Sequence, residues 1–246
     1  MALIKCPECG REISSFAKAC PNCGFPIEEY QEQRRGFIDI DNSQEVFLGQ
    51  RNKANINIGD FITLGTYPQG LYGELMPIKW QVLCVENNKA LIISKFGLDC
   101  KRFNNEKLAV TWETCDLRKW LNNYFYNNAF SMAEKQDIIL SNVTADENIK
   151  YNNNQGNNTQ DYVFVFSILE ANKYFNSDVT RKCQGTTYCL SQLADYRDGY
   201  CWWWLRSVGS DIRSTANVYP DGHISNSGDG NDNVREAIRP AMWIKI

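Results

Sequence analysis

Four cysteines near the start of the chain occur in two matching motifs whose spacing is that of a metal site. The motifs read CPECG and CPNCG and contain Cys6, Cys9, Cys20 and Cys23. A C-x2-C turn places two sulfurs on one side of a metal ion, and four thiolates fill the tetrahedral shell that zinc prefers. The glycine after each second cysteine lets the turn adopt a positive φ. The spacing therefore predicts a Zn2+ site that is structural and not catalytic, because no position is left for a water.

The alternative for these cysteines is a pair of disulfides. The opening sequence, MALIKCPECG, shows no sign of export, and thiols stay reduced inside a cell. We therefore expect a zinc ribbon over residues 1–27, which folds with its metal because so short a segment cannot bury a core. The two motifs resemble the small zinc ribbons at the N-terminus of many bacterial proteins, which implies a role in interaction with a protein partner, and the charges of the ribbon, mixed in sign, do not specifically support DNA binding. A polar stretch over residues 28–36 is expected to be a linker or part of either neighbour, and residues 37–246 form the main domain.

The composition excludes several classes of function. Lys and Arg number 26 against 29 Asp and Glu, and the net charge of −3 argues against bulk electrostatic binding to nucleic acid. No apolar run approaches the ~18 residues that a membrane span needs, and no secretory segment opens the chain, so we expect a cytoplasmic protein. The chain has one histidine, His223, which nearly excludes catalysis or metal binding built on several histidines.

Local patterns in the main domain predict a hairpin and then a helix. Lys79–Glu86 and Lys89–Phe96 are β-rich runs separated by Asn87-Asn88, and asparagine tolerates the positive φ of a two-residue primed turn. A helix is predicted after Thr114 as its N-cap. Its apolar face has the spacing i, i+3, i+4, i+7 and i+8 and consists of Leu117, Trp120, Leu121, Tyr124 and Phe125.

Two further helices are predicted from capping boxes, in which a serine and a glutamate three residues later cap each other's backbone. The first box opens a helix over Met132–Leu140, and the second lies in the helix Ser167–Phe175, directly after an apolar strand over Tyr162–Phe166. Between them, residues 148–158 hold six asparagines. This stretch is predicted to be a flexible surface loop.

The last third of the chain changes character and predicts a small antiparallel sheet. Short strands are expected over residues 216–219 and 223–225, around the turn Pro220-Asp221-Gly222. Trp202-Trp203-Trp204 is expected to pack in the core on both faces of a strand, with a surface indole that stacks on a sugar ring as the alternative. The fold class predicted from these elements is α+β, with helices early and the sheet late, and the other six cysteines are expected to be buried thiols.

Seven motifs follow each other in the main domain: GTYPQ (65–69), PIKWQVL (77–83), ALIISKFGLD (90–99), TWETCDLRKWLN (111–122), VFVFSILEANKYF (163–175), WWLRS (203–207) and IRPAMWI (238–244). Together they resemble an uncharacterised bacterial domain family that is often found behind an N-terminal zinc ribbon. The resemblance covers nearly all of residues 60–246. It implies no catalytic residues, because the function of that family is not established.

The ending from WLRS to IRPAMWI also resembles the C-terminal half of the C-type-lectin-like fold. Formylglycine-generating-type proteins and the variable proteins of diversity-generating retroelements share that fold. The resemblance implies a C-type-lectin-like α+β domain with small antiparallel sheets and several helices, preceded by the small zinc ribbon. It also implies structural roles for Arg206 and Arg239, which would tie the strand ends that frame a ligand surface.

The C-terminal loops supply the candidate binding residues. Residues 209–233 are rich in short, adaptable hydrogen-bonding side chains with Tyr, Arg and His as anchors, as in an antibody binding surface. We expect non-catalytic recognition of a protein or glycan ligand by this segment. The candidate ligand-binding residues are Asp211, Arg213, Ser214, Asn217, Tyr219, Asp221, His223, Asn226, Asp229, Asn231 and Asn233.

The same segment has the residue types that retroelement diversification produces. It contains no Lys, Gln, Glu, Met or Trp, which codons ending in a pyrimidine cannot encode. Diversity-generating retroelements mutate the adenines of AAY codons, which yields Asn, Asp, Ser, Ile, Arg, Tyr, His and Gly among others. The alternative is an ordinary polar loop, since the usual turn residues overlap with that set.

Three other roles stay open. Formylglycine-generating enzymes hold copper with two cysteines, and Cys183, Cys189 and Cys201 are candidates by location, although their surroundings do not match that family's active-site segment. A purely structural or assembly role is the second. The third is a Ca2+ site without a recognisable loop motif, for which the acidic candidates are Asp211, Asp221, Asp229 and Asp232.

Overall fold

The computed structural model describes residues 3–6, 8–14, 17–27 and 56–246. The ribbon contains one antiparallel pair, β1 (Leu3–Lys5) and β2 (Glu12–Ser14), which flanks the first cysteine motif. The predicted linker, residues 28–36, and residues 37–55 of the predicted main domain lie outside the described residues.

Two five-stranded sheets and two strand pairs form the main domain. Its strands are, in chain order, β3 (Phe61–Pro68), β4 (Leu75–Glu86), β5 (Lys89–Ser94), β6 (Asp99–Cys100), β7 (Ile138–Ile139), β8 (Ser141–Val143), β9 (Thr159–Asp161), β10 (Tyr196–Arg197), β11 (Tyr200–Cys201), β12 (Trp203–Val208), β13 (Ser214–Val218), β14 (Ile224–Gly230), β15 (Ala237–Ile238) and β16 (Ala241–Lys245). The sheet orders are β3-β4-β5-β16-β7 and β14-β13-β12-β15-β6, while β8 pairs with β9 and β10 with β11. Within residues 56–246 the pairing of named strands is antiparallel except between β12 and β15.

The α+β class is confirmed, but the sheet is not confined to the last third of the chain. The early strands β3, β4 and β5 belong to the same sheet as the last strand, β16. This sheet has five strands, as many as the sheet that contains β12, β13 and β14. Asn87 and Asn88 connect β4 to β5 with φ of 48° and 60°, as the predicted two-residue hairpin requires. The run Lys89–Phe96 therefore forms a strand, which ends at Ser94.

Two short crossings join the sheets, because β5 and β6, and likewise β15 and β16, are only a few residues apart but belong to different sheets. Arg239 lies in the second crossing and is buried. Its Nε donates to the Ser94 carbonyl at 3.0 Å, and its guanidinium lies 5.1 Å from the ring centres of both Phe175 and Trp203. These contacts give Arg239 the structural role that the resemblance implied.

Arg206 of β12 ties three segments together from the interior. Its Nη1 donates to the Val165 carbonyl at 2.9 Å, and its Nη2 donates to the Thr144 carbonyl at 3.0 Å. It also forms ion pairs with Asp146, at 3.2 Å, and with Glu170. A buried guanidinium with carbonyl and carboxylate acceptors on every side is a structural group.

The predicted helix after residue 114 forms with two differences. Cys115, not Thr114, is the N-cap, since the Cys115 sulfur accepts the Arg118 N–H at 3.4 Å, while the Thr114 N–H donates to the carbonyl of Thr111 in the preceding turn. Tyr124 is 58% exposed and does not belong to the buried face. The helix consists of α1 (Asp116–Trp120), a π-helical turn (Leu121–Phe125) and α2 (Tyr126–Ala129). The wider π turn shifts the helix phase, which a regular 3.6-residue repeat cannot anticipate.

Both predicted capping boxes are present, at Ser131 and Ser167. The predicted helix over Met132–Leu140 is too long, because Ile138 and Ile139 pair with β16 as β7. No helix in the described part of the chain is long and apolar enough to span a bilayer. The remaining helices are α3 (Met132–Lys135), α4 (Ile168–Tyr174), α5 (Asp178–Arg181) and α6 (Thr187–Ser191).

Two segments differ from the sequence predictions because distant residues determine them. Tyr162–Phe166 is not a strand and makes one isolated bridge, between Phe164 and Ala241. The asparagine-rich loop is anchored in the interior, since Asn148 is fully buried and its Nδ2 donates to the carbonyls of Val208 and Asn226, each at 2.9 Å. The prediction of a surface loop is therefore wrong at that end.

Candidate metal centre and candidate ligand surface

The four ribbon cysteines lie close enough to share one metal ion. Their sulfurs are all within 4.8 Å of one another. The Cys6 and Cys23 sulfurs are 3.5 Å apart, and those of Cys9 and Cys20 are 3.7 Å apart. A tetrahedral Zn2+ with Zn–S distances of ~2.3 Å holds its sulfurs about 3.8 Å from each other. The donor set and its spacing fit a zinc ion ligated by four thiolates.

The backbone of each cysteine motif has the same turn. Gly10 and Gly24 have φ of 70° and 77°, and their N–H groups donate to the carbonyl of the first cysteine of their motif at 2.9 and 2.8 Å. Desolvation raises the pKa of Cys20, but hydrogen bonds from the backbone N–H groups of Asn22 and Cys23 and from the Cys6 and Cys23 thiols lower the pKa to about 6, while desolvation and the neighbouring thiols raise the pKa of Cys23 to about 12. A thiolate is thus favoured at Cys20, as metal ligation requires.

The six cysteines of the main domain are mostly removed from solvent. Five are at most 8% exposed, and Cys84 is half-buried. Cys183 and Cys189 donate to different carbonyls, those of Gln184 at 3.5 Å and Asp99 at 3.1 Å. Burial raises the pKa of both thiols, which makes them poor nucleophiles and poor metal ligands. Their environment is that of interior packing.

The candidate ligand residues do not form one continuous surface. They lie on the hairpin of β13 and β14, whose register pairs Ser214 with Gly230 at one end and Val218 with Ile224 at the other. The end that contains residues 219–223 is here called the turn end, and it carries Tyr219, Asp221 and His223. The opposite end, residues 211–214 and 229–233, is called the open end, and it carries Asp211, Arg213, Ser214, Asp229, Asn231 and Asn233.

Two of the candidates point into the protein. Asn217 and Asn231 are both 0% exposed. The Asn217 Nδ2 donates to the carboxylates of Asp229 and Glu236, each at 2.9 Å, and the Asn231 Nδ2 donates to the Leu108 carbonyl at 2.6 Å. Asn217 lies in β13, where successive residues face opposite sides, so part of the polar set must face inward, whereas Asn231 follows β14 in a turn. The expectation that these two asparagines are presented to a ligand is wrong.

The open end is held by local contacts at its surface. Arg213 and Asp211 form an exposed ion pair at 3.0 Å, and hydrogen bonds to Arg213 hold the pKa of Asp211 below its usual value. Asp221 lies at the turn end, so it does not share a site with Asp211. Among residues 3–6, 8–14, 17–27 and 56–246, the group of three or more Cys, His or acidic side chains close enough for a metal is the cysteine cluster of the ribbon.

A row of three rings and a guanidinium lies at the surface of the turn end. The Arg197 guanidinium is 5.1 Å from the Trp202 ring centre, Trp202 is 6.2 Å from the Tyr219 ring, and Tyr219 is 6.1 Å from the His223 ring. Trp202 and Tyr219 are half-buried, while Arg197 and His223 are exposed. We call Arg197, Trp202, Tyr219 and His223 the aromatic row.

The sequence predicted two members of the aromatic row as ligand-binding residues, Tyr219 and His223, but not Trp202 or Arg197. Trp203 and Trp204 are 0% exposed, as predicted for the core, but Trp202 precedes the strand and stays at the surface. Arg197 was missed, because its position depends on the short hairpin of β10 and β11, which pairs it with Tyr200. The signal in the sequence was Asp198-Gly199, a typical primed turn, beside Arg197.

The fold and the cysteine centre define a zinc-ribbon protein with an α+β domain, and the profile of a zinc-ribbon domain matches residues 5–27. The family described as a domain of unknown function, DUF6273, matches residues 87–246, and the chain belongs to that family. This agrees with the resemblance to an uncharacterised family behind a zinc ribbon.

The relatives add little beyond the family. An uncharacterized protein of Haemophilus influenzae is 52% identical over 29 residues, which are 12% of this chain and 38% of that protein. The matched part thus spans well under half of that relative's length. No solved structure matches the chain.

Proposed function

We propose that the chain is a non-catalytic ligand-binding protein with a C-type-lectin-like main domain, and that it recognises its ligand with the aromatic row. The observation that carries this proposal is the contact of half-buried Trp202 and Tyr219 with exposed Arg197 and His223. Aromatic faces that remain partly in water gain about 25 cal/mol for each Å² of apolar area that a ligand covers. The row therefore offers a favourable surface for a flat ligand face.

The turn beneath the row is held in one conformation, which lowers the entropy cost of binding. Gly222 has a φ of +91°, and a Cβ there would lie 1.7 Å from the Asp178 carbonyl oxygen. The Gly222 carbonyl accepts from Arg181 Nε at 2.9 Å, and the Tyr219 N–H donates to the His223 carbonyl at 2.9 Å. Helix α5 thus fixes the loop that presents the row.

We propose a glycan as the ligand. A sugar ring has an apolar face that stacks on an aromatic ring and hydroxyl groups that need hydrogen-bond partners. The row supplies the ring faces of Trp202 and Tyr219, and the exposed Arg197 and Asp221 supply a donor and an acceptor beside them. A protein ligand is the alternative outcome of the test.

The test is binding of the intact, zinc-loaded protein to an array of neutral and acidic glycans. The variant Tyr219→Ala with His223→Ala removes half of the row, and we expect at least about a tenfold loss of signal, since each lost aromatic contact contributes 0.5–1.5 kcal/mol beyond its area. The matched control, Asp211→Ala with Arg213→Ala at the open end, should bind like the wild type. Equal binding by both variants, or no glycan bound by the wild type, would contradict the proposal.

We further propose that the surface positions of residues 209–233 are varied by a retroelement, while the buried Asn217 and Asn231 stay constant because their side chains bond inside. The gene sequence tests this directly. The codons for Arg213 and Ser214 should end in a pyrimidine, and a near-identical template repeat and a reverse transcriptase gene should lie nearby. A purine at either third position with no repeat overturns the idea.

The ribbon is proposed to position a protein partner in a reducing compartment such as the cytoplasm, where its thiols stay free for zinc. Its exposed side chains are of both signs, which suits a protein surface of mixed charge, and they include Lys5, Glu8, Arg11 and Glu12. Co-purification of a defined partner should be lost from the variant Cys9→Ser with Cys23→Ser and retained by the aromatic-row variant. The opposite pattern would assign the partner to the main domain.

A further inference from the structure

Two carboxyl groups, here called the carboxyl pair, meet in the interior at the side chain of Asn217. The Asn217 Nδ2 donates to Asp229 Oδ2 and to Glu236 Oε1, each at 2.9 Å, so one amide nitrogen holds both groups. The Asp229 carboxyl is also within hydrogen-bonding reach of Glu236. Asp229 is half-buried, and Glu236 is 2% exposed. Two ionised carboxylates this close together and this far from water are unfavourable unless a positive charge or a proton compensates them.

The cationic side chains near the carboxyl pair are engaged elsewhere. None of the ion pairs within residues 56–246 includes either member of the pair. Arg235, the neighbour of Glu236 in the chain, pairs with Asp195 at 3.6 Å. Lys101, whose backbone N–H donates to the Glu236 carbonyl, pairs with Asp99 at 3.3 Å. The compensation for the pair is therefore not an ammonium or guanidinium group of residues 56–246.

Other ionisable groups beside the carboxyl pair do not replace the missing cation. They are the Cys100 thiol of β6, the Asp195 carboxyl before β10 and the Lys107 ammonium beside Gly230. Burial raises the pKa of Cys100 well above its usual value, so this thiol is neutral. Burial also raises the pKa of Glu236 well above its usual value, outweighs the hydrogen bond from the Asn217 amide, and is reinforced by the two nearby aspartates.

A buried oxygen of Glu236 lacks a hydrogen-bond donor. In the part of the chain that the structure describes, Glu236 Oε2 is one of three buried side-chain atoms without a hydrogen-bond partner. An ionised carboxylate only accepts hydrogen bonds, so a charged Glu236 would keep this oxygen buried and unsatisfied. A protonated carboxyl has an O–H group, and the Asp229 carboxyl is an acceptor within its reach. The surroundings thus favour a proton on the carboxyl pair.

We propose that Asp229 and Glu236 share one proton in the folded protein at neutral pH and form a pH-sensitive latch between the hairpin of β13 and β14 and the segment before β15. With the proton, the pair has a single negative charge, an internal hydrogen bond and the two hydrogen bonds from Asn217. Without it, two carboxylates repel each other across one amide, and the contact between the segments is weakened. The latch lies away from the aromatic row and does not depend on what the row binds.

The latch should make the protein less stable as the pH rises, because the folded chain binds one proton more than the unfolded chain. Below pH 4.5, the ordinary pKa of Glu236, both states are protonated and the stabilisation is complete. Above it, the unfolding equilibrium constant should rise about tenfold for each pH unit over which the folded pair keeps its proton. The stabilisation is lost when the pH passes the raised pKa of Glu236 in the folded protein.

Urea unfolding of the zinc-loaded full chain between pH 5 and 8 tests the latch, since ordinary carboxyls are ionised and ordinary thiols protonated in this range. Each variant is compared with the wild type at the same pH, so that groups common to both cancel. The ratio of the unfolding constants of wild type and Glu236→Gln should rise about tenfold per pH unit. The matched control, Asp211→Asn, removes an exposed carboxyl of the open end and should give a constant ratio.

The variant Asp229→Asn separates a shared proton from one that burial alone keeps on Glu236. Its amide can donate to an ionised Glu236, so its pH dependence should be less steep than that of the wild type. A slope equal to that of the wild type would refute sharing.

Infrared spectroscopy of the wild type at pH 7 gives a second measurement that needs no stable variant. A protonated carboxyl shows a C=O stretching band that carboxylates lack, and we expect this band in the wild type and its loss in folded Glu236→Gln. A wild-type spectrum without the band, or a ratio of unfolding constants that is the same at pH 5 and pH 8, would overturn the proposal.

Discussion

Two buried arginines hold the main domain together through different chemistry. Arg206 is compensated by the carboxylates of Asp146 and Glu170, whereas Arg239 relies on backbone carbonyls and the faces of two aromatic rings. Desolvation accordingly lowers the pKa of Arg239. Both arginines use the planar, five-donor guanidinium, which a lysine ammonium does not reproduce.

Replacing Arg206 should therefore be among the most damaging changes in the domain. Arg206→Met leaves two carboxylates without their cationic partner and two carbonyls without this donor, and we expect a loss of about 3–5 kcal/mol in the free energy of unfolding. Arg206→Lys keeps the charge but cannot reach all four acceptors, so it should recover only part of that loss. Urea unfolding at neutral pH measures both.

The matched control is Arg213→Met, which removes an exposed arginine from an ion pair with Asp211. Exposed ion pairs contribute about 0–1 kcal/mol, so the free energy of unfolding should change little. Comparable losses for the Arg206 and Arg213 variants would show that the interior network does not stabilise the fold.

At the scale of elements, the ribbon and the main domain have separate cores. The ribbon core consists of Cys6, Ile13, Cys20 and Ile27, and none of these residues belongs to the core cluster of the main domain. Two of those four are metal ligands, so the ribbon has little apolar surface of its own to bury. Its fold must depend on the ion, while the main domain has an extensive core.

Metal removal should consequently unfold one part of the protein only. A zinc chelator, or the variant Cys9→Ser, should abolish the stoichiometric zinc measured by elemental analysis and open residues 3–27 to proteolysis. The near-ultraviolet circular dichroism and the melting temperature of the main domain should change little. A main-domain transition that shifts together with zinc content would contradict this independence.

Elements were predictable where local chemistry decides them. Asn87-Asn88 and the capping serines Ser131 and Ser167 act within a few residues, and the structure contains all three devices. Tyr162–Phe166 has the composition of a strand, but no neighbouring strand in the described chain pairs with it along its length. Only Phe164 forms an isolated bridge. The order of the two sheets depends on contacts between distant segments, which periodicity does not report.

The candidate sites, too, were predictable where neighbouring residues decide them and not where distant contacts do. The four zinc ligands could be identified from spacing alone, because two neighbouring turns build the whole centre. The ligand residues were chosen by composition, which does not distinguish the fully buried Asn217 from the half-buried Asn226. The Asn217 amide is buried and donates to Glu236 and Asp229. Glu236 is distant from Asn217 in the sequence, and only the fold brings the two side chains together.

At the scale of the whole molecule, the buried thiols make stability depend on alkaline pH. Burial raises the pKa of Cys115 from 9.0 to about 12. Below pH 9 the thiol is protonated in both the folded and the unfolded chain, and its contribution to stability is complete. Between about pH 9 and 12 only the unfolded chain ionises, so stability falls as the pH rises.

The contribution of one thiol to this pH dependence can be measured separately. Cys115→Ser removes the titrating thiol yet keeps an N-cap for α1, since serine is a favourable cap. The decrease in melting temperature from pH 8 to pH 10.5 should be smaller in this variant than in the wild type. Identical slopes for wild type and Cys115→Ser would place the titration elsewhere.

The two crossings between the sheets also bear on how the chain is made. β15 lies between β12 and β6, and β16 lies between β5 and β7, although both come after their neighbours in the chain. Neither five-stranded sheet can close until residues 237–245 have left the ribosome. A nascent chain that stalls earlier presents open strand edges from both sheets at once, which makes it a substrate for chaperones and proteases. The main domain therefore completes its folding in a step that joins both sheets together, once residues 237–245 are available.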